Sequence, residues 1–287
     1  MRWTRGRKSR NLEDRRFQTG GRAIKGAGLG IGGLVVVLLL SMLTGQDLLS
    51  LLGGMGPAVQ VPQQGGPTNT ATTPEEEELV EFVSYVLDHA QATWTELLPR
   101  IGAPYREAKL VLFRGAIDSA CGFAQSATGP FYCPGDQKVY IDLSFYDDLR
   151  RRFGAPGDFA QAYVLAHEIG HHVQTLLGIE SQVRQLQRSE PRARNAYSVA
   201  MELQADCLAG VWANAAARDN LLEPGVIQEG LRSAAALGDD RIQGQSQGHV
   251  TPDSFTHGSS DQRVAWLQRG MDTGDPDRCD TFAEMTS

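Results

Sequence analysis

Charge of either sign is missing from residues 26–46, and the centre of that run, residues 34–40, is continuously aliphatic. About 20 apolar residues cross a bilayer as a helix, so the run predicts one transmembrane helix over 27–46 rather than a buried core helix. A cleaved signal peptide is the chief rival, but no A-x-A site follows and the basic region before the run is long. Lys and Arg are missing again until Arg100, whereas residues 1–26 carry nine of them against Glu13 and Asp14. This asymmetry predicts a basic cytoplasmic tail over 1–26 and a single-pass membrane protein whose remainder is periplasmic or extracellular. The lipid bilayer is therefore an expected partner. Nucleic acid is not: the tail is +7 and the whole chain −7, so everything after it carries −14, which repels phosphate.

Cysteine is sparse. Cys121, Cys133, Cys207 and Cys279 all follow the apolar run, and no C-x-x-C spacing occurs among them, which argues against cysteine-bound zinc. Beyond a membrane span they suit disulfides. Three pairings are possible. Cys121–Cys133, which closes a short loop, and Cys207–Cys279, which ties the C-terminal tail to a helix, are the expected two. Aromatic residues make up only 7%, but 41% hydrophobic residues suffice for an ordinary globular core. No internal repeat is visible.

Residues 47–73, rich in Gly, Pro, Gln and Thr, read as a flexible linker. The folded domain spans 74–287. It opens with Pro74 and four glutamates at the positive end of a helix, followed by apolar residues at helical spacing. Lys109–Phe113 and 138–143 read as strands, the second of which could be an edge strand that pairs with an extended peptide. Helices are expected over about 158–177, with Asp158 and Gln161 as a capping box, over 198–217, from Pro224 to Gly238, and over 260–269, ended by Gly270. Strands early and helices late give an α+β domain.

The chemistry sits in Ala166-His167-Glu168-Ile169-Gly170-His171-His172. Positions i and i+4 share one helix face, so His167 and His171 can meet one zinc ion. Glu168 borders the open coordination position, where it can act as general base on a water molecule. A catalytic zinc takes three protein ligands. Glu202 and Asp206 form another i, i+4 pair, on a helix whose neighbours are apolar. Glu202 is the expected third ligand, and Asp206 the acceptor that orients a ligand histidine through its far nitrogen. Gly170 in mid-helix suggests close approach of that second helix. His257 could donate to an oxyanion or serve as an extra ligand. His249 has a weaker claim, and Tyr132 and Tyr140 are possible donors but better packing residues. His172 reads as a supporting or surface histidine.

These residues carry a resemblance. The chain resembles the YpfJ-type neutral zinc metallopeptidases of bacteria through Asn11-Leu12-Glu13-Asp14-Arg15-Arg16, Gly129-Pro130-Phe131-Tyr132-Cys133-Pro134, Val139-Tyr140-Ile141-Asp142-Leu143, the HExxH segment, the stretch from Glu202 to Cys207, and His257-Gly258-Ser259. The resemblance implies a zincin-like, mostly helical domain with a small β-sheet behind one transmembrane helix. The Glu202-x-x-Ala205-Asp206 arrangement is also similar to gluzincins of the prenyl-protease and heat-shock membrane-peptidase type, whose matching glutamate is the third ligand. Those proteins carry a Thr-His pair before an arginine-containing helix, as Thr256-His257 and Arg263 stand here. The expectation is a membrane-anchored peptidase with one catalytic Zn2+, acting on extracytoplasmic proteins or peptides. The alternative is a non-catalytic, zinc-stabilised membrane scaffold. Oligomeric state is left open.

Overall fold

The computed structural model describes residues 1–6, 8–18, 72–155, 157–223 and 225–283. Residues 1–18 fold into one compact unit with the chain from Thr72 onward. The architecture is α+β and mostly helical, with two small sheets.

Strand β1 (Leu12–Asp14) lies parallel to β2 (Lys109–Phe113). Strand β2 lies parallel to β6 (Lys138–Asp142), and β5 (Phe131–Cys133) closes the sheet antiparallel to β6, giving the order β1-β2-β6-β5. A separate hairpin joins β3 (Ala116–Ser119) to β4 (Gly122–Gln125). Period-two alternation sends the two faces of the central strands into different cores. Leu110, Leu112, Val139 and Ile141 join the main core, while Val111, Phe113, Tyr140 and Cys133 form a second cluster covered by Ile117 and Phe131.

Helix α1 (Pro74–Leu97) starts as expected: Pro74 occupies the first turn and the Thr73 hydroxyl accepts from the Glu76 N–H at 3.2 Å. A short helix α2 (Ser144–Arg151) leads to α3 (Asp158–Leu176), α4 (Ile179–Ser189) and α5 (Arg194–Arg218). They are followed by α6 (Val226–Ala236), α7 (Asp239–Gln247) and α8 (Ser260–Thr273). The buried centre of the helical layer is α3, packed on α1, α5 and α6, with α5 in turn packed on α8. Gly157, not Asp158, is the N-cap of α3. The capping box occurs instead on α8, between Ser259 and Gln262. Helix α8 also runs past Gly270, its expected end. A Cβ at Gly270 would collide with the Cys207 carbonyl of α5, and one at Gly210 with the Leu267 carbonyl of α8. Glycine marks a helix crossing there, not a stop. Both expected disulfides are formed, Cys121–Cys133 and Cys207–Cys279.

Three further expectations need correction. Among the described residues, no helix is long and apolar enough to cross a membrane. The transmembrane helix expected over 27–46 lies outside the described residues. The single-pass topology with a cytoplasmic N-terminus fails on the sheet: β1 belongs to the tail that was to lie across a bilayer from the domain, and it hydrogen-bonds to β2 of that domain. Several of the basic residues that suggested topology are instead ion-paired to the fold. Lys8 meets Glu77 at 2.7 Å, Arg10 meets Glu107 at 2.8 Å, Arg5 pairs with Glu78, and buried Arg16 reaches Asp14, Glu76 and Glu77. The strand at 138–142 is also interior to the sheet, so the edge beside α3 is β5, not β6.

Candidate metal centre

Helix α3 supplies His167, Glu168 and His171, and α5 supplies Glu202 and Asp206. The two helices approach closely at Gly170, where a Cβ would lie 3.0 Å from the Ala205 carbonyl oxygen. That glycine lets the two i, i+4 pairs face each other. His167 Nε2 lies 3.1 Å from Glu202 Oε2, and His171 Nε2 lies 3.5 Å from Glu202 Oε1. One ligand atom from each of His167, His171 and Glu202 falls within 4.8 Å of the others.

The far nitrogen of each imidazole is held. His167 Nδ1 is 2.8 Å from Asp206 Oδ1, and His171 Nδ1 is 2.8 Å from Gln174 Oε1. A carboxylate and an amide oxygen only accept, so each Nδ1 carries a proton, and Nε2 is the ring atom that faces Glu202 and is left to bind a metal ion. Gln174 is fixed by donating to the Met201 carbonyl and to Gln204 Oε1, and Gln204 donates to the Cys279 carbonyl. The Cys207–Cys279 bridge thus anchors the C-terminal segment that supports His171. Two imidazoles with fixed tautomers and one carboxylate are a donor set that fits zinc.

Asp206 is fully buried. It accepts from Tyr163 Oη at 2.5 Å and from Arg263 Nε at 2.8 Å and Nη2 at 3.0 Å. Burial would raise its pKa, but Arg263 and then His167 hold it down at about 2. Burial likewise disfavours a charged His167, yet Asp206 and Glu202 push its pKa up to about 10. The same negative field favours a cation between the imidazoles and Glu202. Glu168 is buried, and burial raises its carboxyl despite the two histidines. The Tyr132 main-chain N–H of β5 faces it.

His257 stands outside the converging group. Its Nδ1 is 3.2 Å from Asp239 Oδ1, while its backbone N–H and that of Thr256 donate to Asp239 Oδ2. Its loop lies on α5 beside Glu202, since a Cβ on Gly258 would touch Val199 and Leu203. His249 is exposed and meets only the Gln247 carbonyl. The Tyr140 hydroxyl donates to Asp136, and that of Tyr132 pairs with His172, which is wholly buried. The residues that sequence reasoning missed are Tyr163, Gln174 and Asp239. Tyr163 precedes His167 by one helical turn and Gln174 follows His171 by three residues, so the helix-face rule could have found both.

A model of the family described as "Putative neutral zinc metallopeptidase" matches residues 1–282. The chain is 49% identical over 291 residues to "Uncharacterized protein YpfJ" of Escherichia coli strain K12, covering 99% of each chain. It is 45% identical over 205 residues to "Uncharacterized protein Mb2605" of Mycobacterium bovis, 67% of each. No solved structure matches. With nearly its whole length matched, from the N-terminal strand to the C-terminal disulfide, the chain belongs to this zinc metallopeptidase family.

Proposed function

We propose that the protein hydrolyses peptide bonds of proteins or peptides at a single zinc ion held, as in gluzincins, by His167, His171 and Glu202. The observation that supports it most directly is the convergence of these three groups beside buried Glu168. When bound there, zinc supplies Lewis acidity, acidifying water and polarising a carbonyl oxygen. Glu168 takes a proton from the attacking water and passes it to the leaving amine nitrogen. Asp206, itself held by Tyr163 and Arg263, keeps His167 in its ligand tautomer, and Gln174 does the same for His171. His257 is held through Nδ1 by Asp239, which raises its pKa, and as the imidazolium it offers Nε2–H to the developing oxyanion. The free edge of β5 lies next to Glu168, where the backbone of an extended substrate can pair with it.

The test compares wild type with Glu168→Gln. The variant is expected to keep one zinc per chain and to lose at least about a hundredfold in kcat on an unfolded protein substrate, the scale of general-base catalysis. Undiminished cleavage would remove Glu168 from the mechanism. A zinc-loaded wild type with no hydrolysis of any peptide would leave a structural metal site.

A further inference from the structure

One buried side chain beside the metal centre has no part in that chemistry. His172 follows His171 on α3 and has no exposed surface. Its ring is packed edge-on against Tyr105 and tilted against Tyr132, with ring centroids 5.6 and 5.4 Å away. Its Nε2 lies 2.6 Å from the Arg106 carbonyl oxygen, and its Nδ1 3.0 Å from the Tyr132 hydroxyl. A carbonyl oxygen only accepts, so Nε2 donates, and Nδ1 is the atom that meets Tyr132. Apolar packing against a sheet would not require a histidine here. Both ring nitrogens are used, one on the loop before β2 and the other on edge strand β5.

Tyr132 is the middle residue of β5 and stands opposite Val139 of β6. Among the described residues strand β5 is paired on one side only, so the sheet fixes its register along β6 but not its spacing from α3. The Tyr132 side chain holds that spacing through His172, and the Tyr132 main-chain N–H faces the Glu168 carboxylate. A tyrosine and a histidine thus join the strand that would bind substrate to the helix that carries the base.

We infer that His172 is a positioning residue which, through the Tyr132 hydroxyl, sets edge strand β5 against helix α3 and so holds Glu168 in register with a bound substrate. This rests on the peptidase reading above. It adds a residue whose loss changes turnover without changing the metal.

The test uses the zinc-loaded full chain and a peptide substrate, with Glu168→Gln as reference. Tyr132→Phe removes one oxygen and keeps the ring. It is expected to lower kcat about tenfold, the worth of one hydrogen bond, with KM within about twofold and zinc content unchanged. His172→Gln, which keeps a donor for the Arg106 carbonyl but no atom at the Nδ1 position, should match it. His172→Asn, which places a polar atom near that position, should recover most of the lost kcat. The Tyr132→Phe/His172→Gln double variant should be no worse than either single one, because both cut the same contact. Wild-type kcat in Tyr132→Phe would overturn the inference. So would effects that add in the double variant, or a loss of activity that tracks loss of zinc. Full activity of Glu168→Gln would instead remove Glu168 from the mechanism, and a zinc-loaded wild type that hydrolyses no peptide would bring down the peptidase reading itself, results that the Tyr132 and His172 variants do not produce.

Discussion

The ion pairs around Asp206 and those along β1 use the same residue types in opposite surroundings. At the centre, Asp206, Arg263 and His167 are almost wholly removed from water, and each charge faces a partner within 3 Å. Along the N-terminal segment, Arg5, Lys8 and Arg10 pair with Glu78, Glu77 and Glu107 while more than a third of each side chain stays exposed. Solvent screens the second set and leaves each pair worth little. The first set cannot lose a member without stranding a buried charge. Burial, more than the number of pairs, therefore decides which network shapes the fold. The buried one orients a metal ligand, and the exposed one helps a three-residue strand to stay in its sheet.

Removing Arg263 would break the comparison most sharply. Arg263→Met should cost about 3–5 kcal/mol in urea unfolding, the penalty for an uncompensated buried carboxylate. Zinc affinity should fall as well, because Asp206 then loses its fixed position under His167. A loss below about 1 kcal/mol would mean that water reaches Asp206. Arg16 tests the boundary between the two regimes. Its side chain is 1% exposed, but its partners Asp14, Glu76 and Glu77 are 20–36% exposed. These carboxylates can be resolvated once the guanidinium is gone, so Arg16→Met should cost less than Arg263→Met, about 1–2 kcal/mol, with zinc content unchanged.

What the sequence made legible follows the same division between local and distant partners. His167, His171, Glu202 and Asp206 were readable because each pair lies one helical turn apart, and the spacing of α3 and α5 shows in the sequence itself. Lys109–Phe113 was readable as a run of apolar β-formers that proved buried on alternate faces. Strand β1 was not: Leu-Glu-Asp has no strand pattern, and its place depends on pairing with Leu110, Val111 and Leu112, nearly a hundred residues away. The basic segment around it resembled a membrane topology signal because its partners, the glutamates that open α1 among them, lie across the undescribed stretch. The same gap hid the basic partners of Glu76, Glu77 and Glu78, which in sequence show only as acids at the positive end of a helix. Gly270 was misread because a glycine that lets two helices cross looks, in sequence, the same as one that ends a helix. Nothing local marks β5 as the edge strand beside the site, since three residues between turns give too short a pattern.

The smallest expected effect belongs to Glu13, and pH reveals it better than substitution alone. Glu13 lies between Lys138 at 3.0 Å and Lys109 at 3.2 Å, with Arg15 beside it. Burial would raise its pKa, but the hydrogen bonds from Lys138, Arg15 and Lys109 outweigh it and hold the carboxyl at about 2. A carboxyl depressed in the folded state stabilises that state above its unfolded pKa, near 4.5. That stabilisation fades as pH falls from there towards 2. Glu13→Gln should therefore cost less than about 1 kcal/mol at neutral pH. The gap between variant and wild type should close on acidification through this window, with amide exchange of β1 converging in the two proteins. Added salt should narrow the neutral-pH gap as well, because the pair is partly exposed. Arg263→Met should keep its full cost in the same salt. If Glu13→Gln proved as costly and as salt-insensitive as Arg263→Met, the N-terminal network would have to be as dry as the metal centre, and exposure would no longer separate the two.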